Sequence, residues 1–131
     1  MRRRSIDVPG LHHAGAPIPQ ASLVGTLLLS SGISGMDAAT GEIATEPAEQ
    51  ARLVFENVGR VLEAAGGSAE DIVKMTFFVR DRSLRDQIDP HWLRLFPTTS
   101  SRPARHTLVQ ILPDGIHMQC EITANIEGKT K

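Results

Sequence analysis

The chain has 131 residues, 40% of them hydrophobic and 22% charged, and its formal net charge is −1. This length and composition predict one soluble globular domain with a single hydrophobic core. The near-neutral charge provides no basic field for nucleic acid or an anionic membrane, and aromatics at 4% leave little material for base stacking. We therefore expect neither nucleic acid nor a membrane as a partner.

The N-terminal residues and the single cysteine bear on the compartment. Arginines at positions 2–4 resemble the start of a signal peptide, but residues 5–10 contain no apolar segment that would complete one. Cys120 has no second cysteine with which to form an intramolecular disulfide, and its apolar neighbours predict a buried, inert thiol. These features predict a cytoplasmic protein.

Residues 1–16 are predicted to form a mostly irregular lead-in, with room for one short strand, and residues 17–126 to form the single domain. The lead-in contains His12 and His13, which resemble a metal-binding pair. Neighbouring residues of a strand point to opposite faces, however, and no cysteine or acidic cluster lies nearby, so a surface or interface role is favoured.

Two strands are predicted next. The first covers residues 18–22, and the apolar run 26–31, bounded by turn residues, predicts a buried central strand. Ser30, Ser31 and Gly32 end that strand with small side chains and free hydroxyl groups. A ligand could approach the backbone closely there, although a strand that simply ends in turn residues explains the same pattern.

A helix is predicted to begin at Thr45-Glu46-Pro47, because Thr45 is a candidate N-cap and proline suits a first turn. The adjacent glycines at positions 66 and 67 predict its end. Its core stripe recurs at helical spacing and consists of Ala51, Phe55, Val58, Leu62 and Ala65.

A capping box at Ser68–Asp71 predicts a single turn, and residues 72–79 then predict a strand. One face of that strand is predicted to carry Val73, Met75, Phe77 and Val79. Phe78 lies among polar residues on the other face, which indicates partial cover of that face by another subunit.

A second helical segment is predicted from Asp81, with a capping box formed by Ser83 and Asp86. Proline is costly inside a helix, so we expect a break near Asp89 and a restart at Pro90. The apolar face of this segment is predicted to consist of Ile88, Trp92, Leu95 and Phe96.

Arg105 follows Pro103 at the start of a run rich in threonine, leucine, valine and isoleucine, which predicts a strand that stops near Pro113. Its guanidinium group is always charged, and its planar fork of donors matches a carboxylate. The spacing is compatible both with a carboxylate anchor in a cleft and with an ordinary strand-end arginine in solvent or a surface ion pair.

Residues 116–126 predict the last strand, and residues 127–131 a frayed tail. The order of elements predicts an α+β architecture, in which one sheet carries two helices on one face. The opposite face mixes polar and apolar residues, so it is either solvated or lines the centre of an oligomer.

An ordered set of short motifs resembles the YjgF/RidA family of reactive-intermediate deaminases, also known as the endoribonuclease L-PSP family. The set comprises Gly41-Glu42-Ile43, Gln50-Ala51-Arg52, Glu56-Asn57-Val58, Glu63-Ala64-Ala65-Gly66, Asp71-Ile72-Val73-Lys74, Phe78-Val79-Arg80-Asp81 and Pro103-Ala104-Arg105. The resemblance implies a chorismate-mutase-like fold, a homotrimer, and clefts between subunits that bind small carboxylates. It also implies hydrolysis of enamines and imines such as 2-iminopropanoate and 2-iminobutanoate to 2-oxo acids and ammonia, without a metal or organic cofactor.

The resemblance also implies roles for particular positions. Arg105 matches the arginine that clamps the substrate carboxylate, and Thr107 matches a residue whose backbone lines the site. Ser31 matches a small hydroxyl residue at the pocket, with Gly32 beside it.

Two positions depart from the family pattern. Ile18 falls where a tyrosine is typical, and Gln119 falls where an acidic residue positions the attacking water, with Glu121 two residues further on. An amide can orient water but has no useful basicity. His106 and His117 are either ordinary strand residues or a source of a group that titrates near neutral pH.

Three functions remain open at this point. The chain is a deaminase of small imine acids, a deaminase of a larger catabolic enamine resembling aminomuconate or aminoacrylate, or a trimer that binds a small carboxylate without catalysis. A ribonuclease activity is disfavoured by the near-neutral charge and the scarcity of aromatic residues.

Overall fold

The computed structural model describes residues 2–127, and residues 128–131 of the predicted tail lie outside it. One mixed sheet has the strand order β1-β2-β3-β9-β7-β8, with β4 also paired to β9, and β5 and β6 form a separate two-stranded sheet. The strands are β1 (Arg4–Ile6), β2 (Ala21–Val24), β3 (Leu27–Ser30), β4 (Ile33–Ser34), β5 (Met36–Asp37), β6 (Glu42–Ile43), β7 (Ile72–Val79), β8 (Ala104–Val109) and β9 (Met118–Asn125). The helices are α1 (Pro47–Ala64) and α2 (Arg85–Leu95).

The core lies between the large sheet and the two helices, which pack on one face of it. Leu28, Val54, Met75, Phe77 and Ile88 are all fully buried there, although they come from two strands and both helices. The predicted α+β architecture, with one sheet and two helices on one face, is therefore confirmed. Strand β1 comes from the predicted lead-in and pairs with β2, so these residues extend the sheet. Within residues 2–127, no helix is long and apolar enough to cross a membrane.

The ends of α1 follow from its sequence, with one correction. Pro47 occupies the first turn, but Glu46 and not Thr45 is the N-cap, and its side chain makes no capping hydrogen bond. At the other end, Gly66 has a φ of +86°, which glycine adopts at little cost. The Gly66 amide donates to the Glu63 carbonyl at 3.0 Å and the Gly67 amide to the Leu62 carbonyl at 2.8 Å, the pattern of a Schellman motif.

The second helix contradicts two predictions. The Asp81 side chain accepts a hydrogen bond from the Ser83 amide, so Asp81 and not Ser83 caps the 3-10 turn Arg82–Leu84 that leads into α2. Pro90 then lies inside α2, and the predicted break near Asp89 does not occur. An interior proline costs about 3 kcal/mol. Burial of Ile88 and Trp92 against the core offsets that cost and holds the helix continuous.

Several predicted strand bounds, and the predicted burial of several side chains in strands and in α2, are also wrong. The strand predicted at residues 18–22 begins only at Ala21, since Pro17 and Pro19 cannot donate to a ladder. The strand predicted as buried, β3, buries Leu28 but leaves Leu27 45% and Leu29 50% exposed. Val73 is 55% exposed because a bulge between Ile72 and Lys74 shifts the register. Leu95, predicted on the apolar face of α2, is 38% exposed.

Two polar side chains hold the loop between β8 and β9. Gln50 is fully buried in α1, donates to the carbonyls of Ala44 and Gly115, both at 2.7 Å, and accepts from the His117 amide at 2.9 Å. The Arg80 guanidinium donates to the carbonyls of Leu112, Pro113 and Ile116. The loop therefore fixes how β8 and β9 enter the sheet on either side of β7.

Candidate active site

Arg105 lies on the helix-facing side of β8, an edge strand that runs parallel to β7. Its partner in the register is the fully buried Met75, so alternation directs Arg105 and Thr107 towards α2. The guanidinium carbon lies 5.3 Å from the ring centroid of Phe77 and 5.1 Å from that of Trp92. Two aromatic faces therefore hold the positive group of Arg105 in place.

The polar contacts of Arg105 leave part of its guanidinium group available. Its Nη2 lies 2.8 Å from Oδ1 of Asp89, and its Nε donates to the Thr107 hydroxyl at 3.4 Å. The side chain of Arg105 is 16% exposed and that of Asp89 is 49% exposed. Because a guanidinium group has five N–H donors, these two contacts do not saturate it.

A cavity of about 330 Å³ opens beside this pair and is lined by Arg85, Asp89, Arg105, His106 and Thr107. Its volume lies within the range of small-molecule sites, roughly 300–1,000 Å³. The guanidinium group therefore has both unused donors and adjacent space. This arrangement can bind the carboxylate of a small molecule by charge-assisted hydrogen bonds.

A second group of candidate residues lies around the N-terminal end of β9. Gln119 is opposite Ser34 of β4 and Phe78 of β7. A Cβ atom added at Gly32 would lie 3.2 Å from Oε1 of Gln119, so the amide packs against the glycine backbone. Ile18 is 49% exposed.

The serine hydroxyls of this second group are not free, contrary to prediction. The Ser31 hydroxyl donates to the Pro19 carbonyl at 2.8 Å, and the Ser31 amide donates to the Gln20 carbonyl at 2.9 Å. The Ser30 hydroxyl accepts from the Ile122 amide at 2.8 Å. Both hydroxyls therefore fasten neighbouring segments together.

The two groups lie on opposite faces of the sheet. Arg105 shares the helix-facing side with Met75, whereas Gln119 shares the other side with Phe78. Glu121, opposite Thr76, is on the same side as Gln119. Strands β4 and β8 are also three strand spacings apart, about 14 Å. One chain alone does not bring Arg105 together with Gln119, Ser31, Gly32 and Ile18.

The two histidines of the lead-in lie within hydrogen-bond distance of loop carbonyls. Nε2 of His12 is 2.9 Å from the Gly41 carbonyl, and Nε2 of His13 is 3.0 Å from the Gly32 carbonyl. Among residues 2–127, no cluster of three or more histidine, cysteine or acidic side chains could hold a metal ion. His13 thus connects the lead-in to the backbone beside Gln119.

Cys120 is fully buried in β9. Burial raises the pKa of its thiol far above the ordinary value, and the neighbouring charge of Glu121 adds to the effect. The thiolate, which is the nucleophilic form, is therefore not populated at neutral pH. Cys120 is a core residue, as its apolar neighbours predicted.

Sequence reasoning missed Asp89, Arg85 and the aromatic pair that holds Arg105. Arg85 and Asp89 are one helical turn apart, a spacing that places two side chains on one face of a helix. Because a helix break was predicted near Asp89, Arg85 and Asp89 were not expected to share one face of a helix. The parallel pairing that brings β8 beside β7 links distant parts of the chain, and no local pattern indicates it.

The fold and this arginine define an α+β protein with a candidate site for a small carboxylate, and comparisons with known proteins agree with the fold. Residues 12–126 match the family described as Endoribonuclease L-PSP. A RutC family protein from Haemophilus influenzae is 36% identical over 111 residues, which cover 82% of this chain and 85% of that protein. A 2-iminobutanoate/2-iminopropanoate deaminase from Dermatophagoides farinae is 32% identical over 127 residues, which cover 95% and 98%.

A solved structure shows the same architecture. The crystal structure of TdcF from Escherichia coli with bound serine superposes with a TM-score of 0.82 at 30% identity, and the match covers 93% of this chain and 98% of that chain. The chain belongs to the YjgF/RidA family, which includes deaminases of reactive intermediates, and the resemblance drawn from its motifs is confirmed.

Proposed function

We propose that this protein hydrolyses small reactive enamine and imine acids, such as 2-iminopropanoate and 2-iminobutanoate, to 2-oxo acids and ammonia. The observation that carries the proposal is the Arg105 guanidinium group, held between two aromatic rings with unused donors beside a cavity of about 330 Å³. Two relatives support it. One is named for these two imines, and the other was crystallised with serine, which has a carboxylate and a nitrogen on adjacent carbons.

The reaction needs binding and orientation more than strong base catalysis. Arg105 holds the carboxylate, so the adjacent carbon–nitrogen double bond takes a defined orientation. Water adds to the carbon of the protonated imine, a proton passes to nitrogen, and the carbon–nitrogen bond breaks to release ammonia and the 2-oxo acid. The water oxygen becomes the carbonyl oxygen, and this balance requires no metal or organic cofactor.

Gln119 takes the position from which the water is oriented. Its amide can donate and accept hydrogen bonds but cannot accept a proton usefully, so turnover relies on the electrophilicity of the iminium carbon. We place Ser31, Gly32, Ile18 and Glu121 around the same water and the substrate side chain, with the Thr107 backbone beside the carboxylate.

A homotrimer would unite the two halves of this site. On the sheet face opposite the helices, Val24, Leu27, Leu29 and Leu108 are between 36% and 50% exposed, and Phe78 lies beside Leu108 in the register. Apolar exposure of this kind favours association. In the proposed assembly this face is covered by other copies, and the Gln119 group of one subunit meets Arg105 of the next.

A non-catalytic trimer that binds a small carboxylate is the second candidate, and Gln119 favours it because the chain lacks the acidic residue of the family pattern. Arg105 would have the same role in such a protein. Affinity for 2-oxo acids without turnover of any imine would select this alternative.

The test of the proposal generates imines with an amino-acid oxidase and traps the remainder with semicarbazide. Wild-type protein should shorten the lifetime of 2-iminobutanoate, and Arg105→Ala should lower the rate at least tenfold. Arg82→Ala is the matched control, since Arg82 lies in the turn before α2 and does not line the cavity. Equal rates of imine hydrolysis for wild type and Arg105→Ala would contradict the proposed activity.

A further inference from the structure

The cavity beside Arg105 has a charge pattern that a simple 2-imino acid does not match. Arg85 and Asp89 extend from the same face of α2 and line the cavity together with Arg105. Asp89 is paired with Arg105 at 2.8 Å. The Arg85 side chain makes no ion pair or hydrogen bond with any other group in residues 2–127, and it is exposed. Within one chain, these three charged groups give the wall of the cavity one net positive charge.

A protonated 2-imino acid with one carboxylate is electrically neutral overall. Its carboxylate binds Arg105, and the iminium nitrogen on the adjacent carbon then lies near Asp89, which contacts the same guanidinium group. Such a ligand has no negative group that could pair with Arg85. A second carboxylate at the far end of the ligand would give it one net negative charge and compensate the cavity.

We propose that Arg85 and Asp89 are specificity-determining residues and that the preferred substrates are 2-imino dicarboxylic acids and their enamine tautomers. This inference rests on the proposed function of the same site. Arg105 binds the carboxylate next to the imine, Asp89 accepts hydrogen bonds from the iminium N–H groups, and Arg85 binds the distal carboxylate.

The size of the cavity is consistent with this class. The cavity volume of about 330 Å³ is at the lower end of the range for small-molecule sites, roughly 300–1,000 Å³. A cavity of this size accommodates a chain of four to six carbons with two carboxylates. The i, i+4 spacing of Arg85 and Asp89 places their Cβ atoms about 5–6 Å apart, and the flexible Arg85 side chain extends the reach.

The experiment compares kcat/KM for 2-iminoglutarate and 2-iminobutanoate, generated by amino-acid oxidases from glutamate and 2-aminobutanoate. Wild type should favour the dicarboxylate. Arg85→Gln should lower the ratio of the two kcat/KM values about tenfold, the size expected for loss of one charge-assisted hydrogen-bonded pair. Arg85→Lys should restore part of that ratio, and Arg82→Gln should leave it unchanged.

A binding measurement separates specificity from turnover. The ratio of Kd values for 2-oxobutanoate and 2-oxoglutarate should fall with Arg85→Gln in the same proportion as the kinetic ratio. An unchanged ratio in both measurements would overturn the inference while the proposed deaminase activity stands. Failure of wild type to hydrolyse either imine would instead count against the proposed function, and the inference would fall with it.

Discussion

Oδ1 of Asp89 lies 2.8 Å from Nη2 of Arg105, and this contact joins α2 to the edge strand β8. The carboxylate comes from the middle of a helix and the guanidinium group from a strand that enters the sheet after it. In the proposed site, a substrate carboxylate therefore shares the guanidinium group with the carboxylate of Asp89. This sharing makes Asp89 a determinant of affinity as well as of orientation.

Replacing Asp89 with asparagine should separate binding from turnover. The variant keeps the shape of the side chain but removes the competing negative charge, so 2-oxobutanoate should bind Arg105 several-fold more tightly. The kcat for 2-iminobutanoate should fall, because the iminium nitrogen loses its anionic partner. Trp92 is the single tryptophan, and its fluorescence should report binding because the Arg105 guanidinium lies 5.1 Å from its ring. Parallel losses of affinity and kcat would instead indicate a purely structural contact.

Trp92 should be important for affinity because its ring faces the guanidinium group. Trp92→Leu removes an aromatic face worth about 0.5–2 kcal/mol, so the KM for the imine should rise between twofold and thirtyfold. Trp92→Phe retains an aromatic face and should lose less. Comparison of the two variants at temperatures well below both melting points separates this effect from lost core packing. A KM that is the same in both variants would contradict the assigned role.

Two glycines at α1 should respond oppositely to alanine. Gly66 has a φ of +86°, so Gly66→Ala should lower the free energy of unfolding by about 1 kcal/mol or more. Gly59 lies inside α1 with open space around an added Cβ, so Gly59→Ala should raise it by about 0.5–1 kcal/mol. Urea denaturation of both variants provides the measurement. If both substitutions changed the free energy of unfolding in the same direction, the positive φ of Gly66 would not explain its effect on stability.

The exposed sheet face should control assembly. Leu29 is 50% exposed on the face opposite the helices, and Leu29→Lys would place a charge in the proposed subunit interface. We expect the proposed trimer to dissociate and imine hydrolysis to fall at least tenfold. Leu93→Lys is the control, since Leu93 is 54% exposed on α2. Light scattering and the trapping assay provide the two readouts, and an active monomeric variant would argue against a site shared between subunits.

Cys120 should make stability fall at alkaline pH. Burial raises the pKa of its thiol in the folded protein, whereas the unfolded thiol ionises near its ordinary value of about 8.5. This contribution is fully present below that value and is lost as pH rises above it, by about 1.4 kcal/mol per pH unit. The free energy of unfolding measured from pH 7.5 to 10 should be nearly constant up to about pH 8.5 and show this slope above it. Cys120→Ala should flatten it, and an identical slope in that variant would assign the effect to other groups.

Much of the fold could be predicted because local patterns agree with it. The strand at residues 72–79 has the predicted bounds, and α1 ends at the glycine pair because a positive φ is needed there. Buried and less buried side chains alternate along β9, as expected for a strand with one face on the core. The face of Val73 could not be predicted, since a bulge depends on how β7 pairs with β9.

The sequence by itself determined the α+β class and most of the longer elements, because periodicity, caps and turn residues act over a few residues. Spacing left the role of Arg105 open, and only the resemblance to a family indicated it as the carboxylate anchor. Only the tertiary structure decided that α2 runs through Pro90, that Asp89 contacts Arg105, and that Gln119 lies on the opposite face of the sheet. These outcomes depend on contacts between segments far apart in the chain. Burial of the core stabilises one arrangement of those segments, and the free energy of that burial cannot be read from any local sequence pattern.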